Sequence, residues 1–456
     1  MLIKDTIVAL ATPPGRSGIG VIRLSGARAL GIAQQFVQEK NFAPEPNRAT
    51  LKKLYDPANG EVLDHALLTY FKSPHSFTGE DVVEFSCHGS PPLLRHLIDN
   101  ILILDARLAG PGEFTLRALS NGRLNLSQAE AIRDLINAQT KSAIQQATRQ
   151  LNGELSALLQ PLKQTLLDII VPLESALEFV EDDLPELAFH QIKAELSNLI
   201  KCVKELASTF TSGRLLRDGL KVTIVGRPNV GKSSVFNKLL VSDRAIVADV
   251  PGTTRDSLSE MISLHGIPIL LTDTAGLRAS VDMIENLGVE RTRRAIADAD
   301  LVVFVIDGSQ SLVQEDKEIF DEIAQSPHLI AINKSDLETF DQRELKLRGK
   351  QTSAVVSISA KTGMGFDALR AAILQPFALY DTSSAGLLIT DARHFDLLQR
   401  TQAALSSSRS SLEERVSEEL VLVGLYDALR FLGEITGETT SDDVLSQIFA
   451  TFCIGK

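Results

Sequence analysis

Three kinds of hydrophobic pattern follow one another along the chain. Up to about residue 105, short apolar stretches separated by glycine and proline predict mixed elements, with strands at residues 20–24, 66–71 and 81–86. Over residues 127–212, apolar residues recur at helical spacing, and nothing there signals a strand. The two patterns predict an α+β module followed by a helical segment.

A third pattern begins near Leu220, where short apolar runs alternate with helical stretches. The runs cover residues 222–225, 267–271, 301–306, 329–332 and 355–358. Such alternation is typical of a mostly parallel sheet with helices on both faces. After about Pro376, helical periodicity returns over residues 394–449. Because the termini of a domain often lie close together and tolerate insertion, we predict that the α/β module is inserted into a helical domain.

Size and charge limit the classes of protein that fit. With 456 residues the chain exceeds one ordinary core, so two or three domains are expected. A net charge of -12 argues against a general nucleic-acid coat protein, although a local basic patch could still contact phosphates. Every strongly apolar run is shorter than the roughly 18 residues of a membrane span, and no signal or transit peptide is recognisable. A cytoplasmic protein is expected.

A phosphate-binding loop is the first motif with clear chemistry. The segment Gly226-Arg-Pro-Asn-Val-Gly-Lys-Ser233 follows one apolar run and precedes a helical stretch, which disfavours the alternative of a simple glycine turn. Backbone N–H groups curl around phosphate oxygens, Lys232 reaches the β and γ phosphates, and Ser233 offers its hydroxyl to Mg2+. The predicted phosphate-binding residues are Asn229, Val230, Gly231, Lys232, Ser233 and Ser234.

A carboxylate follows the next apolar run, at the edge where α/β sheets bind ligands. Asp273 is expected to approach the metal through its water shell, and the N–H of Gly276 to meet the γ phosphate. In the segment Asp249-Val-Pro-Gly-Thr-Thr-Arg-Asp256, we choose Thr254 to complete the Mg2+ shell and to move when the γ phosphate leaves. The residues assigned here are Asp273, Thr274, Ala275, Gly276 and Thr254.

Guanine specificity is predicted from Asn333-Lys-Ser-Asp336, which follows the run at residues 329–332. The carboxylate of Asp336 can accept hydrogen bonds from N1 and the exocyclic N2 of guanine, an arrangement that adenine lacks. The tripeptide Ser359-Ala-Lys361 fits a loop that supports the base, although alone it would be an ordinary exit from a strand. The expected nucleotide is GTP, and its base contacts are Asn333, Lys334, Asp336, Ser359, Ala360 and Lys361.

The groups that promote hydrolysis are less obvious. Leu277 stands where small signalling GTPases carry the glutamine that orients the attacking water. Carboxylates in the following segment could take that role, or could simply be solvated helix charges. They are Asp282, Glu285 and Glu290. Positive charge for the transition state could come from Arg255, from Arg278, or from a monovalent cation to which Asn229 offers an oxygen.

Together these motifs resemble the MnmE (TrmE) family of tRNA-modification GTPases. The resemblance rests on residues 226–234, 251–256, 273–277 and 333–336 and on the terminal Phe452-Cys-Ile-Gly-Lys456. Four N-terminal segments are similar to the family as well, at residues 5–9, 12–16, 76–81 and 111–114. The match spans essentially the whole chain.

The resemblance implies a multidomain protein. An α+β folate-binding and dimerisation domain would occupy residues 1–120, and an inserted α/β P-loop G domain residues 217–378. An α-helical domain would combine residues 121–216 with 379–456 and the C-terminal tail. With a flavin-dependent MnmG (GidA)-type partner, in a heterotetramer or larger complex, the family installs a carboxymethylaminomethyl-type group at C5 of the wobble uridine of certain tRNAs. Its homodimer activates hydrolysis when the G domains associate in a K+-dependent way.

The resemblance also implies residue roles at matching positions. Glu285 would position the water, acting with Lys232 and Thr254 in catalysis, and Mg2+ would be bound by Ser233 and Thr254. The residues around K+ would be Asn229, Ala248, Val250 and Thr253, of which Ala248 and Val250 can offer only backbone carbonyls.

A one-carbon folate, 5-formyltetrahydrofolate or a relative, is the further cofactor implied. Its expected contacts are Arg23, Glu84, Arg123 and Lys456. Cations suit the glutamate carboxylates of folate, and a carboxylate can accept hydrogen bonds from the pterin ring. Arg123 replaces the lysine expected in the family, and the two cations differ in donor geometry. Without the resemblance, each of these charges would be an ordinary surface residue.

Two alternatives stay open at this point. The chain could be a GTP-dependent assembly factor that binds ribosomal RNA, although its acidic balance and folate-type N-terminal module favour tRNA modification. Cys453 could be a reactive thiol, but we favour a packed tail that carries Lys456 to the folate domain.

Overall fold

The computed structural model describes most of the chain, and two compact units can be distinguished. The described residues are 5–39, 42–178, 186–243, 258–273, 293–340, 352–377, 386–415, 418–438, 440 and 442–455. The first unit contains Met1–Arg133, Gln150–Gln160 and Leu432–Lys456, and the second contains Asp134–Arg149 and Pro161–Phe431. Each unit has its own six-stranded sheet.

The described strands and helices, in chain order, are these. The strands are β1 (Thr6–Leu10), β2 (Ser17–Ser25), β3 (Ala49–Tyr55), β4 (Val62–Phe71), β5 (Val82–Gly89), β6 (Ala106–Leu108), β7 (Leu220–Val225), β8 (Leu258–Leu264), β9 (Ile267–Asp273), β10 (Leu301–Asp307), β11 (His328–Asn333) and β12 (Thr352–Ser357). The helices are α1 (Ala29–Val37), α2 (Pro91–Ile103), α3 (Glu113–Ser120), α4 (Leu126–Asn137), α5 (Lys141–Leu151), α6 (Glu154–Glu178), α7 (Glu186–Ser208), α8 (Phe210–Asp218), α9 (Lys232–Asp243), α10 (Gln314–Ile323), α11 (Phe366–Leu374), α12 (Ala392–Glu413), α13 (Glu418–Thr436) and α14 (Asp442–Phe449).

The sheet of the first unit has the order β3-β4-β5-β2-β1-β6. Its pairs are antiparallel except for β1 and β6, which are parallel. The three strands predicted in this part of the sequence correspond to β2, β4 and β5. Helices α1 and α2 cover one face, where Phe36 meets Phe85 edge to face with ring centroids 5.8 Å apart. This arrangement confirms the predicted α+β module.

The opposite face of that sheet carries polar side chains. Arg23 of β2 and Glu84 of β5 are direct partners across the two strands. Because successive side chains of a strand alternate between faces, both point away from the core that contains Phe85. Phe114 of α3 covers part of this polar face, together with the neighbouring Ile7.

The C-terminal tail packs against the first unit. Phe449 and Phe452 are buried beside α4. The backbone N–H of Gly112 donates to the carbonyl of Cys453 at 3.3 Å, and Pro111 forms a β-bridge with Ile454. The tail is therefore packed, as expected, while the thiol of Cys453 remains exposed.

Helices dominate both stretches that were predicted to be helical. Helices α4 to α8 account for the first stretch, and no strand occurs among the described residues of 121–178 and 186–216. Helices α12 to α14 account for the second. None of the helices described in the structure is long and apolar enough to cross a membrane.

The sheet of the second unit has the order β12-β11-β10-β7-β9-β8. All pairs are parallel except β8 with β9, so the predicted mostly parallel sheet is confirmed. Strand β8 was not among the predicted strands. Its residues 261–264 alternate between half-buried and buried, as expected for an edge strand, whereas every residue of β10 is buried. The carboxyl ends of the parallel strands meet at one edge, where the loops of the candidate site lie.

Candidate functional site

The phosphate loop connects β7 to α9 at the carboxyl edge of the parallel sheet. Gly231 has φ +99°, and a side chain there would collide with the amide of Asn333. Asn229 also has a positive φ, of 65°, and is exposed at the tip of the loop. Val230 is buried in the hydrophobic core of the second unit and anchors the loop there. The loop therefore presents its backbone at the start of α9, where a helix favours anions.

Lys232 and Ser233 begin α9 and point to two different partners. The ammonium of Lys232 donates to the carbonyl of Arg227 at 2.9 Å, within the loop itself. The hydroxyl of Ser233 donates to the carboxylate of Asp273 at 2.8 Å. Asp273 ends β9 and is almost fully buried. The structure thus brings together the hydroxyl and the carboxylate that the sequence assigned to Mg2+, and oxygen ligands of this kind suit that ion.

Asn333 links the phosphate loop to the loops predicted to bind the base. Its amide donates to the carbonyl of Val230 at 2.9 Å, and its amide oxygen accepts from the backbone N–H of Ala360 at 3.0 Å. The side chain is buried at the end of β11. Asn333 therefore connects the phosphate loop, the loop at residues 333–336 and the loop at residues 359–361.

Asp336 and Ser359 form the second connection between these loops. The hydroxyl of Ser359 donates to Asp336 at 2.7 Å and accepts from the backbone N–H of Thr362 at 3.1 Å. The hydrogen bond from Ser359 and the nearby charge of Lys361 lower the pKa of Asp336, although desolvation opposes them. Asp336 is exposed and ionised at neutral pH, as its predicted contact with the guanine donors requires.

Two carboxylates next to this site were not predicted from the sequence. Asp307, at the end of β10, forms an ion pair with Lys334 at 2.6 Å. Asp316 of α10 lies 3.3 Å from Arg227 in the phosphate loop. The position of Asp307 directly after a buried strand was the available signal, because side chains at that edge meet ligands. Asp316 carries no comparable signal in the sequence.

Several predicted site residues lie outside the described residues. They are Ala248, Val250, Thr253, Thr254, Thr274, Ala275, Gly276, Glu285 and Lys456. The alternatives Arg255, Arg278, Asp282 and Glu290 lie outside them as well. Their roles stay predictions from the sequence.

In the first unit, Arg23 is the centre of a separate polar cluster. Its guanidinium pairs with Glu84 at 2.7 Å and donates to the carbonyl of Gly455 at 3.3 Å. It also lies over the ring of Phe114, 5.8 Å from the centroid. Gly455, the residue before Lys456, therefore contacts Arg23, one of the two residues of the pair predicted to bind folate. Arg123 is exposed and packs beside Gly79, in the loop after β4.

The parallel sheet, the phosphate loop and the connected base loops define a P-loop GTPase. Two family models match the chain: the GTP-binding protein TrmE N-terminus over residues 6–123 and the MnmE helical domain over residues 126–453. The tRNA modification GTPase MnmE of Aquifex aeolicus is 42% identical over 455 residues, and that of Koribacter versatilis is 44% identical over 459 residues. Both alignments cover 100% of each chain. The chain belongs to the MnmE family of tRNA modification GTPases.

Solved structures are similar only in part. The G domain of the T. maritima FeoB iron transporter is 26% identical and covers 35% of this chain and 99% of that chain, with a TM-score of 0.26. Era of Aquifex aeolicus is 25% identical, and the match covers 41% of this chain and 66% of that chain, with a TM-score of 0.28. Both similarities cover less than half of this chain, whereas the MnmE relatives match it over its whole length.

Proposed function

We propose that this GTPase, with a flavin-dependent partner of the MnmG type, installs a carboxymethylaminomethyl-type group at C5 of the wobble uridine of certain tRNAs. The observation that carries the proposal is the match to relatives named tRNA modification GTPase over 100% of their length, rather than over the G domain alone. The described nucleotide site supports the GTP-dependent part. The partner would join the homodimer in a heterotetramer or larger complex in the cytoplasm.

Nucleotide binding follows from the loops at the sheet edge. Lys232 would neutralise the β and γ phosphates, Ser233 and Thr254 would hold Mg2+, and Asp273 would contribute through water molecules bound to the ion. When bound, Mg2+ would reduce the negative charge of the phosphates. Asp336 accepts hydrogen bonds from guanine. The contact between Ser233 and Asp273 supports this assignment, because both groups already share one site.

Activation by K+ is part of the proposal, and it is supported by the absence of a glutamine at the position of Leu277. Asn229 is exposed at the tip of the phosphate loop, and its oxygen would bind a cation near the β–γ bridge. The backbone carbonyls of Ala248 and Val250 and the residue Thr253 would complete the shell. Association of two G domains across their nucleotide faces would exclude water and strengthen this charge. Glu285 positions the attacking water.

Folate binding is proposed for the polar face of the first unit. Arg23 and Glu84 form a partly buried pair that offers a cation to the folate glutamate and an acceptor to the pterin. The contact of Arg23 with Gly455 supports a role for Lys456, one residue further on. Arg123 supplies a second cation. The ligand proposed is 5-formyltetrahydrofolate or a related one-carbon folate.

A homodimer through the first unit is supported by exposed apolar residues. Leu51 of β3 and Leu67 of β4 are opposite partners on the same face, and 66% and 43% of their surfaces are exposed. Val62, the first residue of β4, is 53% exposed. Apolar side chains that share a face are typical of surfaces that another chain covers. We propose that a second copy of this chain covers them.

The experiment that tests the tRNA function compares modified nucleosides with ribosome assembly. A deletion strain is complemented with the wild-type gene or with Ser233→Ala, and wobble uridines and ribosomal subunits are analysed in parallel. We expect the C5 modification to disappear in the deletion and to stay low with Ser233→Ala, while ribosomal subunits mature normally. Normal wobble uridines together with immature subunits would refute the proposal in favour of a ribosome-assembly factor.

A further inference from the structure

Asp307 ends the central strand β10 with a nearly buried carboxylate. Its side chain is 3% exposed, whereas that of its ion-pair partner Lys334 is 33% exposed. The ammonium of Lys334 donates to Oδ2 of Asp307 at 2.6 Å. A charged hydrogen bond this short and this shielded from water is stronger than a pair on the surface. Lys334 is thereby held by a buried carboxylate at the carboxyl end of β10.

The second oxygen of the same carboxylate is also occupied. Oδ1 of Asp307 accepts from the backbone N–H of Ser309 at 3.0 Å and from its hydroxyl at 2.6 Å. Burial raises the pKa of Asp307, but the hydrogen bonds from Lys334 and Ser309 outweigh it and hold the pKa below its usual value. The carboxylate is therefore ionised and fixed in orientation by three donors.

Lys334 has an unusual backbone conformation for its type. Its φ is 68°, in the left-handed region that non-glycine residues seldom adopt. It is the second residue of the loop at residues 333–336. The backbone N–H of Gly308 donates to the carbonyl of Asn333 at 2.9 Å, so the turn after β10 also contacts the first residue of that loop. A disfavoured conformation persists only where surrounding contacts hold it.

We propose that Asp307 is a positioning residue for guanine-nucleotide binding, which holds Lys334 and thereby fixes the loop that presents Asp336 to the base. Asn333 and Ser359 hold the two ends of this loop, and Asp307 holds its middle. Asp307 acts through Lys334 and does not itself touch the nucleotide. The inference rests on the proposed assignment of residues 333–336 to the guanine base.

A purely structural role makes a different prediction. If Asp307 served only to stabilise the turn through Ser309, its loss would lower stability without a specific link to Lys334. A double-mutant cycle separates the two roles, because residues that act through one interaction give non-additive effects. The required variants are Asp307→Asn, Lys334→Met and the double variant. Asp367→Asn is the matched control, since it removes one carboxylate that is fully exposed on α11.

The measured quantity is the equilibrium affinity of the full chain for a fluorescent GDP, with dissociation rates followed separately. We expect Asp307→Asn to weaken binding by about 10- to 100-fold, the usual effect of losing a hydrogen bond to a charged group. Lys334→Met should weaken it similarly, and the double variant should be no worse than Lys334→Met alone. Asp367→Asn should bind as the wild type does. Additive losses in the double variant, or wild-type affinity of Asp307→Asn, would overturn the proposal.

Two further variants keep the test decisive. Ser309→Ala keeps the charge of Asp307 but removes one hydrogen bond that orients it, so a smaller loss of GDP affinity is expected even if Asp307→Asn does not fold. Unchanged affinity of Ser309→Ala in that case would count against the proposal. Asp336→Asn should shift preference from GDP to xanthosine diphosphate, because the Asn amide can donate to the carbonyl that xanthine carries in place of the guanine amino group. If that shift fails, the base assignment itself is wrong; if it occurs while Asp307→Asn behaves as wild type, only this inference fails.

Discussion

Arg217 pairs with Asp391 at 2.7 Å, and this contact joins the chain segment that enters the parallel sheet to the segment that leaves it. Arg217 lies in the last turn of α8, directly before β7, and Asp391 is the N-cap of α12. Asp134 of α4 lies 3.2 Å from the same guanidinium. Within the second unit, one arginine therefore connects both ends of the inserted segment to a helix that precedes it.

Replacement of Arg217 by methionine is expected to destabilise the second unit. It would remove the cation that pairs with both Asp134 and Asp391, and loss of one partner from a buried pair costs about 3 kcal/mol. Calorimetry should show a thermal midpoint lower by several degrees, at roughly 2–4 °C per kcal/mol. The control Arg293→Met removes an exposed pair with Glu322, which is expected to cost less than about 1 kcal/mol. Equal midpoints for the two variants would contradict the prediction.

Loss of the Ser233 hydroxyl is expected to weaken Mg2+ binding. In Ser233→Ala, the Mg2+ concentration that half-activates GTP turnover should rise at least about 10-fold, because one oxygen ligand is lost. A Mg2+ titration of steady-state turnover measures this. Ser406→Ala, on α12, is the control, since its hydroxyl only bonds the preceding helical turn. An unchanged titration for Ser233→Ala would mean that the hydroxyl is not a ligand.

Turnover of GTP is expected to be faster in KCl than in NaCl at equal ionic strength. If K+ replaces the missing positive charge in the transition state, the difference should be at least about 10-fold. Asn229→Ala should remove most of it, because the exposed amide oxygen is a proposed ligand. The oligomeric state in GDP with aluminium fluoride, measured in both salts, reports G-domain association. Equal rates in the two salts would rule out the cation.

Glu285→Ala is expected to leave GTP binding intact while hydrolysis falls. A residue that positions or activates water contributes about 10²–10⁴-fold to rate, so single-turnover hydrolysis should drop by that order. Fluorescent GTP binding, measured on the same preparation, should match the wild type. If Asp282→Ala or Glu290→Ala shows the loss instead, the wrong carboxylate was chosen.

Acid is expected to destabilise the first unit through Glu113. Burial raises the pKa of Glu113, but hydrogen bonds from Arg107, the Gly110 amide and Arg117 lower it to about 2. A carboxylate with a lowered pKa contributes stability above its unfolded value of 4.5, and that stability is lost as pH falls toward about 2. The thermal transition of the first unit is identified at pH 7 as the one whose midpoint Glu113→Gln shifts. In the wild type, calorimetry should show that this midpoint falls as pH is lowered from 4.5 to about 2. Glu113→Gln itself should show a flatter pH dependence, whereas the exposed Glu45→Gln should follow the wild type.

The sequence by itself determined the order of secondary-structure types and most of the nucleotide loops. Hydrophobic period is a local property, so five strands of the parallel sheet and both helical stretches could be predicted from it. The phosphate loop and Asp336 were also predictable, since each follows directly on an apolar strand. Strand β8 was missed because an edge strand that is buried on one face gives a weaker apolar run.

The tertiary structure decided which of these residues meet. Ser233 and Asp273 are 40 positions apart, and only the parallel pairing of β7 with β9 puts their oxygens 2.8 Å from each other. Asp307 ends β10 and Lys334 directly follows β11, and Arg23 reaches Gly455 across 432 positions. No local pattern encodes such contacts, because they depend on strand order and on how the core packs. The sequence therefore determined the kinds of chemistry present, and the fold determined which side chains share a site.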